Sequence, residues 1–243
     1  QGYSSAASDV YKRQVGYYCN PIQYAEHRKT LENVICTAGK FGATHVSTFA
    51  GAWEGKPVES AYEEFGKVFR ELADLAEEKG VKLGIENCLM DGTWEHATCN
   101  IGFNPKAWEV MFEEVKNDNF GLEWEPTHQM VQLIDPVTEL RKWCKKIVHV
   151  HGKDATIDWD AVRHGGISGA VPFVWHRMPG FGDTNWRDII SILRSNGYED
   201  DICIEGYHDP VYSGELEMTG QLHALNYLKW CRGGEFTPTP WAK

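Results

Sequence analysis

The sequence lacks the features of membrane proteins, disulfide-rich proteins and zinc ribbons. No stretch approaches the roughly 18 consecutive apolar residues of a membrane-spanning helix, and no signal-peptide core is recognisable. The seven cysteines show no C-x-x-C spacing and stand mostly in apolar segments. This distribution argues against a disulfide framework or a zinc ribbon and indicates buried, reduced thiols. We therefore expect a soluble, cytoplasmic protein.

Positive charge is also scarce in this sequence. Asp and Glu number 35 against 24 Lys and Arg, which gives a formal net charge of -11. Such a surface opposes nucleic acids and anionic membranes, because both carry negative charge. We expect no partner of either kind, and a small neutral molecule or a cation as the ligand. The oligomeric state stays open, and a homo-oligomer is compatible with the sequence.

The first fourteen residues differ from the rest of the chain. They show neither a helical nor a strand period, and "DVYKRQ" resembles the translation of a common sequencing adapter. We interpret residues 1–14 as an artefactual or disordered segment. Residues 15–243 are long enough for one large domain and contain no low-complexity linker, so we predict a single domain there.

Short apolar runs alternate with amphipathic stretches at a spacing of about 30 residues, which is typical of parallel β/α units. Gly-rich phosphate loops are missing after these runs, which disfavours an open dinucleotide-binding sheet. We predict an α/β fold, a (β/α)8 TIM barrel that lacks its first β/α unit. The seven runs are "VGYYC", "THVSTFA", "VKLGIENC", "NFGLEWEP", "KIVHVHG", "VPFVWHR" and "DICIEGY".

Five helices are predicted from apolar periodicity, from proline at a first turn and from glycine after a last turn. They cover residues 59–79, 105–116, 136–145, 185–195 and 214–230.

Polar residues end four of the predicted strands. Residues two apart share a face of a strand, and the apolar residues of each run face the helices. The polar residues therefore face the barrel at its C-terminal end, where barrel enzymes carry their active sites. The four residues are Glu86, Glu125, His151 and Glu205. Three buried carboxylates repel one another, and a divalent metal offsets this better than the few basic residues nearby.

Two further polar residues lie deeper in the same strands. His149 is interpreted as a core histidine, and Glu123 as a reserve ligand. The alternative for each strand-end acid is a structural hydrogen bond to a loop.

Several motifs together resemble the sugar phosphate isomerase/epimerase group of the xylose isomerase-like TIM barrel superfamily, over nearly all of residues 15–230. They are "YYCNP", "FGATHVSTFAG", "GIENC", "NIGFNP", "GLEWEPTH", "IDP", "HVHGKD", "RMPGFGDTNW" and "CIEGY". The resemblance implies one divalent metal ion held by Glu, Asp, His and Glu, which match Glu86, Glu125, His151 and Glu205. Glu125 departs from the usual aspartate by one methylene, which puts the metal affinity in question.

The activity implied by the resemblance is that of a metal-dependent sugar isomerase or ketose epimerase. Proton transfer would pass through an enediolate, with Glu86 and Glu205 acting both as ligands and as proton carriers. Oxygen-rich ligand sets suit Mn²⁺, Mg²⁺ or Co²⁺, and Zn²⁺ is also compatible.

Five other residues are predicted to contact the sugar substrate. They are His128, Lys153, Arg177, Asn20 and Trp53. His128 would bond a substrate oxygen or, alternatively, cap nearby backbone. Asp154 is ranked below Lys153, because it is equally able to pair with that lysine or to orient a ligand.

Three alternatives remain at this point. A keto-glycoside lyase acting by β-elimination needs the same metal and the same base. A barrel AP endonuclease-like nuclease needs further histidines at strand ends, where this chain has "CNP", "STFAG" and "HRMPG". A non-catalytic sugar-binding protein is the third alternative.

Overall fold

The computed structural model describes residues 13–235 and 237–239. The segment 1–14, interpreted above as artefactual or disordered, therefore lies outside the described residues except for its last two positions. The chain forms two compact units. Unit 1 extends to Trp124 and includes Lys146–His149, and unit 2 comprises Glu125–Lys145 and the chain from Val150 onward. The prediction of a single domain over residues 15–243 stays a prediction.

Unit 1 is built on parallel strands in sequential order. These are β1 (Gln14–Gly16), β2 (His45–Thr48), β3 (Lys82–Glu86) and β4 (Phe120–Trp124). All residues of β2 and β4 are buried, as expected for a parallel sheet covered on both faces. The first strand begins at Gln14, one residue before the boundary expected at Val15.

The helices of unit 1 are α1 (Ala25–Ala38), α2 (Tyr62–Glu78) and α3 (Pro105–Glu114). The buried stripe of α2 places Phe65 and Phe69 against Phe120 at the start of β4, with ring centroids 6.2 and 6.0 Å from that ring. Helix α3 has Pro105 in its first turn, as the sequence predicts, and the side chain of Asn104 caps its start. Helix α1 was not among the predicted helices.

Unit 2 contains parallel and antiparallel strand pairs. The end of β5 (Ile147–Gly152) pairs in parallel with β8 (Ile202–Ile204). By contrast, β6 (Asp154–Ile157) and β7 (Val174–Arg177) form an antiparallel pair.

The prediction that "VPFVWHR" forms a parallel barrel strand is therefore wrong. The run supplies β7, which returns along β6 after a connection that contains a short helix. Strand periodicity alone does not reveal the direction of a neighbouring strand, so the sequence could not distinguish the two cases. Among the described residues, β1 to β4 are parallel in unit 1 and the end of β5 is parallel to β8 in unit 2, whereas seven parallel strands were predicted.

The helices of unit 2 are α4 (Pro126–Met130), α5 (Pro136–Trp143), α6 (Trp159–Gly165), α7 (Trp186–Ser195) and α8 (Glu217–Cys231). Side chains of Asp135, Asp158 and Asn185 accept backbone N–H groups at the starts of α5, α6 and α7. All five predicted helices of the chain are present, with ends shifted by a few residues. No helix in the described part of the chain is both long and apolar enough to cross a membrane.

Candidate metal centre

Unit 2 brings three of the predicted ligands together. Glu125 stands at the N-cap position of α4, His151 lies in β5, and Glu205 directly follows β8. The Glu205 N–H donates to the carbonyl of Gly152 at 3.0 Å, which fixes its backbone beside β5. One potential ligand atom from each of the three residues lies within 4.8 Å of the others.

The imidazole of His151 stands between the two carboxylates. Its Nδ1 is 3.1 Å from Glu205 Oε2 and 3.7 Å from Glu125 Oε2. A second imidazole, that of His128 in α4, lies 3.3 Å from Glu125 Oε1 through its Nε2. Each of the two carboxylates therefore lies close to an imidazole nitrogen, that of His151 for Glu205 and those of His151 and His128 for Glu125.

Lys153 is a buried cation beside these carboxylates. Only 3% of the residue is exposed, and its Nζ donates to Glu205 Oε1 at 2.8 Å and lies 3.8 Å from Glu125 Oε1. With neutral histidines, two carboxylates and one ammonium leave an excess of one negative charge. A buried excess charge is costly, so the cluster favours a bound proton or an additional cation.

The pKa shifts of the two carboxyls go in opposite directions. Burial raises the pKa of Glu125 to about 8, although the His151 hydrogen bond and the Lys153 charge act against this. Burial also acts to raise the pKa of Glu205, but hydrogen bonds with His151 and Glu125 and the Lys153 ammonium lower it overall. In the absence of a metal ion, the proton of the cluster therefore resides on Glu125.

His128 is a neutral imidazole at physiological pH. Burial lowers its pKa to about 3, and the positive charge of Lys153 adds to the shift. A neutral imidazole has one donor and one acceptor nitrogen, so His128 is able to bond a substrate hydroxyl or carbonyl.

The donor set of this cluster fits a divalent cation. Two carboxylates and one imidazole are common ligands of such ions, and all three residues come from ends of regular elements. The extra methylene of Glu125 is accommodated, because its carboxyl lies within reach of both histidines. When both carboxyls are ionised, the cluster has one excess negative charge, which a bound cation would neutralise.

Glu86, the fourth predicted ligand, lies in unit 1. It is the last residue of β3, is buried, and pairs in register with Glu123 of β4. The side chain of Asn100 donates to the carbonyls of Glu86 at 2.9 Å and Cys88 at 2.8 Å, which anchors the strand end. Metal binding by Glu86 stays a prediction.

Glu123, the reserve ligand, is engaged inside unit 1. Its carboxylate accepts hydrogen bonds from Gln14 Nε2 at 2.7 Å, Tyr18 OH at 2.8 Å and Ser47 Oγ at 2.6 Å. These three hydrogen bonds give Glu123 a structural role, because they link β4 to β1, to Tyr18 and to β2.

His149 is buried and packs against the ring of His45. The two ring centroids are 5.3 Å apart. This position agrees with its interpretation as a core histidine.

Asn20 and Trp53 also lie in unit 1. The Asn20 side chain accepts from the N–H groups of Ala52 at 3.0 Å and Gln23 at 3.2 Å, and donates to the Ala52 carbonyl at 2.9 Å. Asn20 therefore shapes the loop that carries the half-buried Trp53. Substrate contact by these two residues stays a prediction.

Arg177 does not join the unit 2 cluster through a described contact. Its Nε is 3.4 Å from Asp209 Oδ2, and its guanidinium lies 5.9 Å from the centre of the Phe181 ring.

Asp154 accepts the backbone N–H groups of Ala155 and Thr184, both at 2.9 Å, and of Gly180 at 3.0 Å. It therefore holds the loop after β7. The lysine next to it in the sequence, Lys153, pairs with Glu205 instead.

His176 in β7 is a residue that the sequence analysis missed. Burial lowers its pKa to about 4, and the charges of Lys153 and His208 add to the shift. Its ring centroid is 5.7 Å from that of His208. The pairing of β7 with β6 places it near Lys153, and that pairing was not recognisable in the sequence.

A protein-family model described as "Xylose isomerase-like TIM barrel" matches residues 17–229. Solved structures with this fold superpose on most of the chain. E. coli 3-keto-D-glucoside 4-epimerase YcjR has a TM-score of 0.67 and 13% identity, covering 93% of this chain and 81% of that chain. The IolI protein with a bound zinc atom has a TM-score of 0.63 and 20% identity, covering 90% and 72%. These likenesses show that the fold is that of a TIM barrel.

Among curated proteins, an inosose dehydratase of Clostridium tetani is 27% identical over 182 residues. The match covers 73% of this chain and 57% of the dehydratase, so the chain spans little more than half of that relative.

Proposed function

The chain belongs to the xylose isomerase-like TIM barrel family, and from this premise we propose that it acts on a keto-sugar or keto-cyclitol. The reaction begins with removal of a proton from the carbon next to the carbonyl group. Dehydration, with loss of the hydroxyl one carbon further on, is the outcome we favour. The observation that carries the proposal is the buried cluster of Glu125, His151, Glu205 and Lys153.

The ligands proposed for a divalent ion are Glu125, His151 and Glu205, with Glu86 as the fourth. Support for Glu86 comes from its position at a strand end and from the resemblance of "GIENC" to the family pattern. When bound, the ion would polarise the carbonyl and so acidify the neighbouring C–H bond. Oxygen-rich ligand sets favour Mn²⁺, Mg²⁺ or Co²⁺, and Zn²⁺ also suits these donors.

Glu205 is the proposed base. Its lowered pKa keeps it ionised at neutral pH, so the carboxylate carries no proton of its own when the substrate binds. Lys153, 2.8 Å from Glu205, is the proposed acid for the departing hydroxyl. In a dehydration, the C–H electrons form the new double bond and the hydroxyl leaves as water after taking a proton. Glu205 ends with the substrate proton, and Lys153 recovers its own from solvent.

The cluster favours a neutral substrate. A divalent ion with Glu86, Glu125, Glu205 and Lys153 sums to zero charge, because three carboxylates balance the ion and the ammonium. An added phosphate would leave this balance negative in a buried site. Arg177, His128, Asn20 and Trp53 are proposed as substrate contacts.

The choice of dehydration rests on the inosose dehydratase relative, which matches at higher identity than the superposed epimerase. Ketose epimerisation or isomerisation is the second candidate. It starts with the same proton removal but returns a proton to carbon, and Glu86 would be the second proton carrier. The sequence-based expectation of an isomerase therefore stays open as a prediction.

Replacing Glu205 tests the proposal. We expect Glu205→Gln to lower kcat by about 10²-fold or more, since the amide accepts no proton. Glu199→Gln changes the charge equally at an exposed position and is the matched control.

Reactions run in D₂O with inosose, a 3-keto-glucoside and free ketoses are followed by NMR. A product that has lost water, either an enone or the 1,2-diketone to which an enol product tautomerises, indicates dehydration. Inverted configuration together with deuterium at the carbon next to the carbonyl of an otherwise unchanged skeleton indicates epimerisation. Turnover of Glu205→Gln at the wild-type rate would overturn the assignment.

A further inference from the structure

We propose that Asp209 is a positioning residue, which sets both the Arg177 guanidinium and the loop that carries Glu205. The inference rests on the proposed function, in which Arg177 contacts the substrate and Glu205 binds the metal ion. Asp209 itself contacts neither the substrate nor the ion in this proposal.

The Asp209 carboxylate is buried and accepts three backbone N–H groups from two segments of the chain. Its Oδ2 accepts the N–H of Met178 at 2.7 Å, directly after β7. Its Oδ1 accepts the N–H groups of Val211 and Tyr212, both at 2.8 Å. Only 2% of the residue is exposed, so these bonds are made in the interior, where an unsatisfied partner costs most.

The same residue closes the loop that begins at Glu205. The Glu205 N–H bonds to Gly152 of β5 at 3.0 Å, and the Asp209 N–H bonds to the Gly206 carbonyl at 3.3 Å. Gly206 also packs closely against the side chain of Met178, which leaves no room for a larger residue there without movement. The loop is thus anchored to β5 at its start and, through Asp209, to the end of β7.

The ion pair with Asp209 also orients Arg177. Asp209 Oδ2 is 3.4 Å from Arg177 Nε, and Arg177 Cζ lies over the Phe181 ring, 5.9 Å from its centre. A guanidinium held through Nε presents its two terminal nitrogens as a rigid fork, which suits adjacent hydroxyl oxygens of a polyol. We assign those terminal donors to the substrate.

Asp209→Asn keeps the shape of the residue but replaces one acceptor oxygen by a donor. We expect kcat/KM to fall about tenfold, mainly through KM, as expected when an oriented binding contact is lost. At saturating Mn²⁺, Arg177→Ala should show a similar loss of kcat/KM, and the kcat/KM of the double variant should be little lower than that of either single variant. Such non-additivity is expected when one residue acts through the other. Asp135→Asn, at an exposed helix cap where asparagine serves equally well, is the control.

A second readout does not depend on turnover. Calorimetric titration of metal-free protein with Mn²⁺ should show a several-fold weaker Kd for Asp209→Asn and a Kd within twofold of wild type for Arg177→Ala. The reason is that only Asp209 anchors the Glu205 loop.

The outcomes separate the two proposals. One outcome is that wild type turns over a keto-polyol and the loss of kcat/KM in the double variant equals the product of the losses in the two single variants. The positioning role is then wrong and the proposed function stands. If wild type turns over none of the substrates, the proposed function is wrong. The Mn²⁺ titration then decides for Asp209, and an unchanged Kd overturns its role.

Discussion

At the scale of single residues, burial of the Glu125 carboxyl couples protonation, folding and metal binding. The carboxyl is fully buried beside His128, His151 and Lys153, and its pKa is raised to about 8. A raised carboxyl pKa means that the folded state holds a proton that the unfolded chain releases near pH 4.5. This contribution to stability is complete below about pH 4.5 and is lost as the pH rises toward 8.

Glu125→Gln should remove this pH dependence. Between pH 5 and pH 8, the free energy of unfolding of metal-free wild type should fall relative to the variant by a few kcal/mol at most, since each pKa unit corresponds to about 1.4 kcal/mol. The difference is measured by urea unfolding of both proteins in EDTA at each pH. The lowered pKa of His176 acts on both proteins and cancels. The difference therefore reports the proton of Glu125 together with its effect on its neighbours Glu205 and His128.

Glu199→Gln is again the control, because this side chain is exposed. A gap between wild type and Glu125→Gln that stays constant from pH 5 to pH 8 would show that Glu125 is not the residue holding the proton.

At the scale of elements, the first unit depends on close approach of its strands. A Cβ added to Gly121 of β4 would overlap the backbone carbonyl of Lys146 and touch Val148 of β5. Backbone cannot move aside as a flexible side chain does, so glycine is needed at this position for contact between the strands.

Gly121→Ala should therefore destabilise the protein by about 1–3 kcal/mol, the usual range for overpacking. Gly39→Ala is the matched control. Gly39 ends α1 with φ of -61°, and a Cβ there meets nothing within 4 Å. Alanine at Gly39 should leave stability unchanged or raise it by about 0.4–1 kcal/mol. Chemical denaturation checks both, and equal stability of the two variants would contradict the packing argument.

The same scale shows what the sequence could and could not predict. Asn104 with Pro105 and Asn185 with Trp186 carry their helix-start signals locally, so those helices were predictable. Strand alternation also predicted the strand-end positions of Glu125, His151 and Glu205, because side-chain period is a local property. The direction of β7 and the pairing of Lys153 with Glu205 depend on partners distant in sequence. Local patterns contain no information on either.

At the scale of the whole molecule, net charge and metal binding are linked. The chain carries a formal charge of -11, and its candidate centre holds two carboxyls whose charge is balanced only while Glu125 keeps its proton beside the Lys153–Glu205 ion pair. Self-repulsion of this kind lowers stability, and a bound divalent ion opposes it locally. The folded protein should therefore bind divalent cations that the unfolded chain does not hold in the same arrangement.

Mn²⁺ should then stabilise the protein in a concentration-dependent manner. At a free concentration of 100 times Kd, linkage gives about 2.7 kcal/mol, which for a chain of this size corresponds to an increase in Tm of roughly 5–10 °C. Calorimetric scans at increasing Mn²⁺ concentration measure the shift in Tm, and EDTA should reverse this shift. His151→Ala should abolish most of the shift, because the variant loses the only imidazole among the proposed ligands. Glu199→Gln should behave as wild type. A Tm that does not change with Mn²⁺, Mg²⁺, Co²⁺ or Zn²⁺ would contradict the metal centre itself, whatever reaction the protein catalyses.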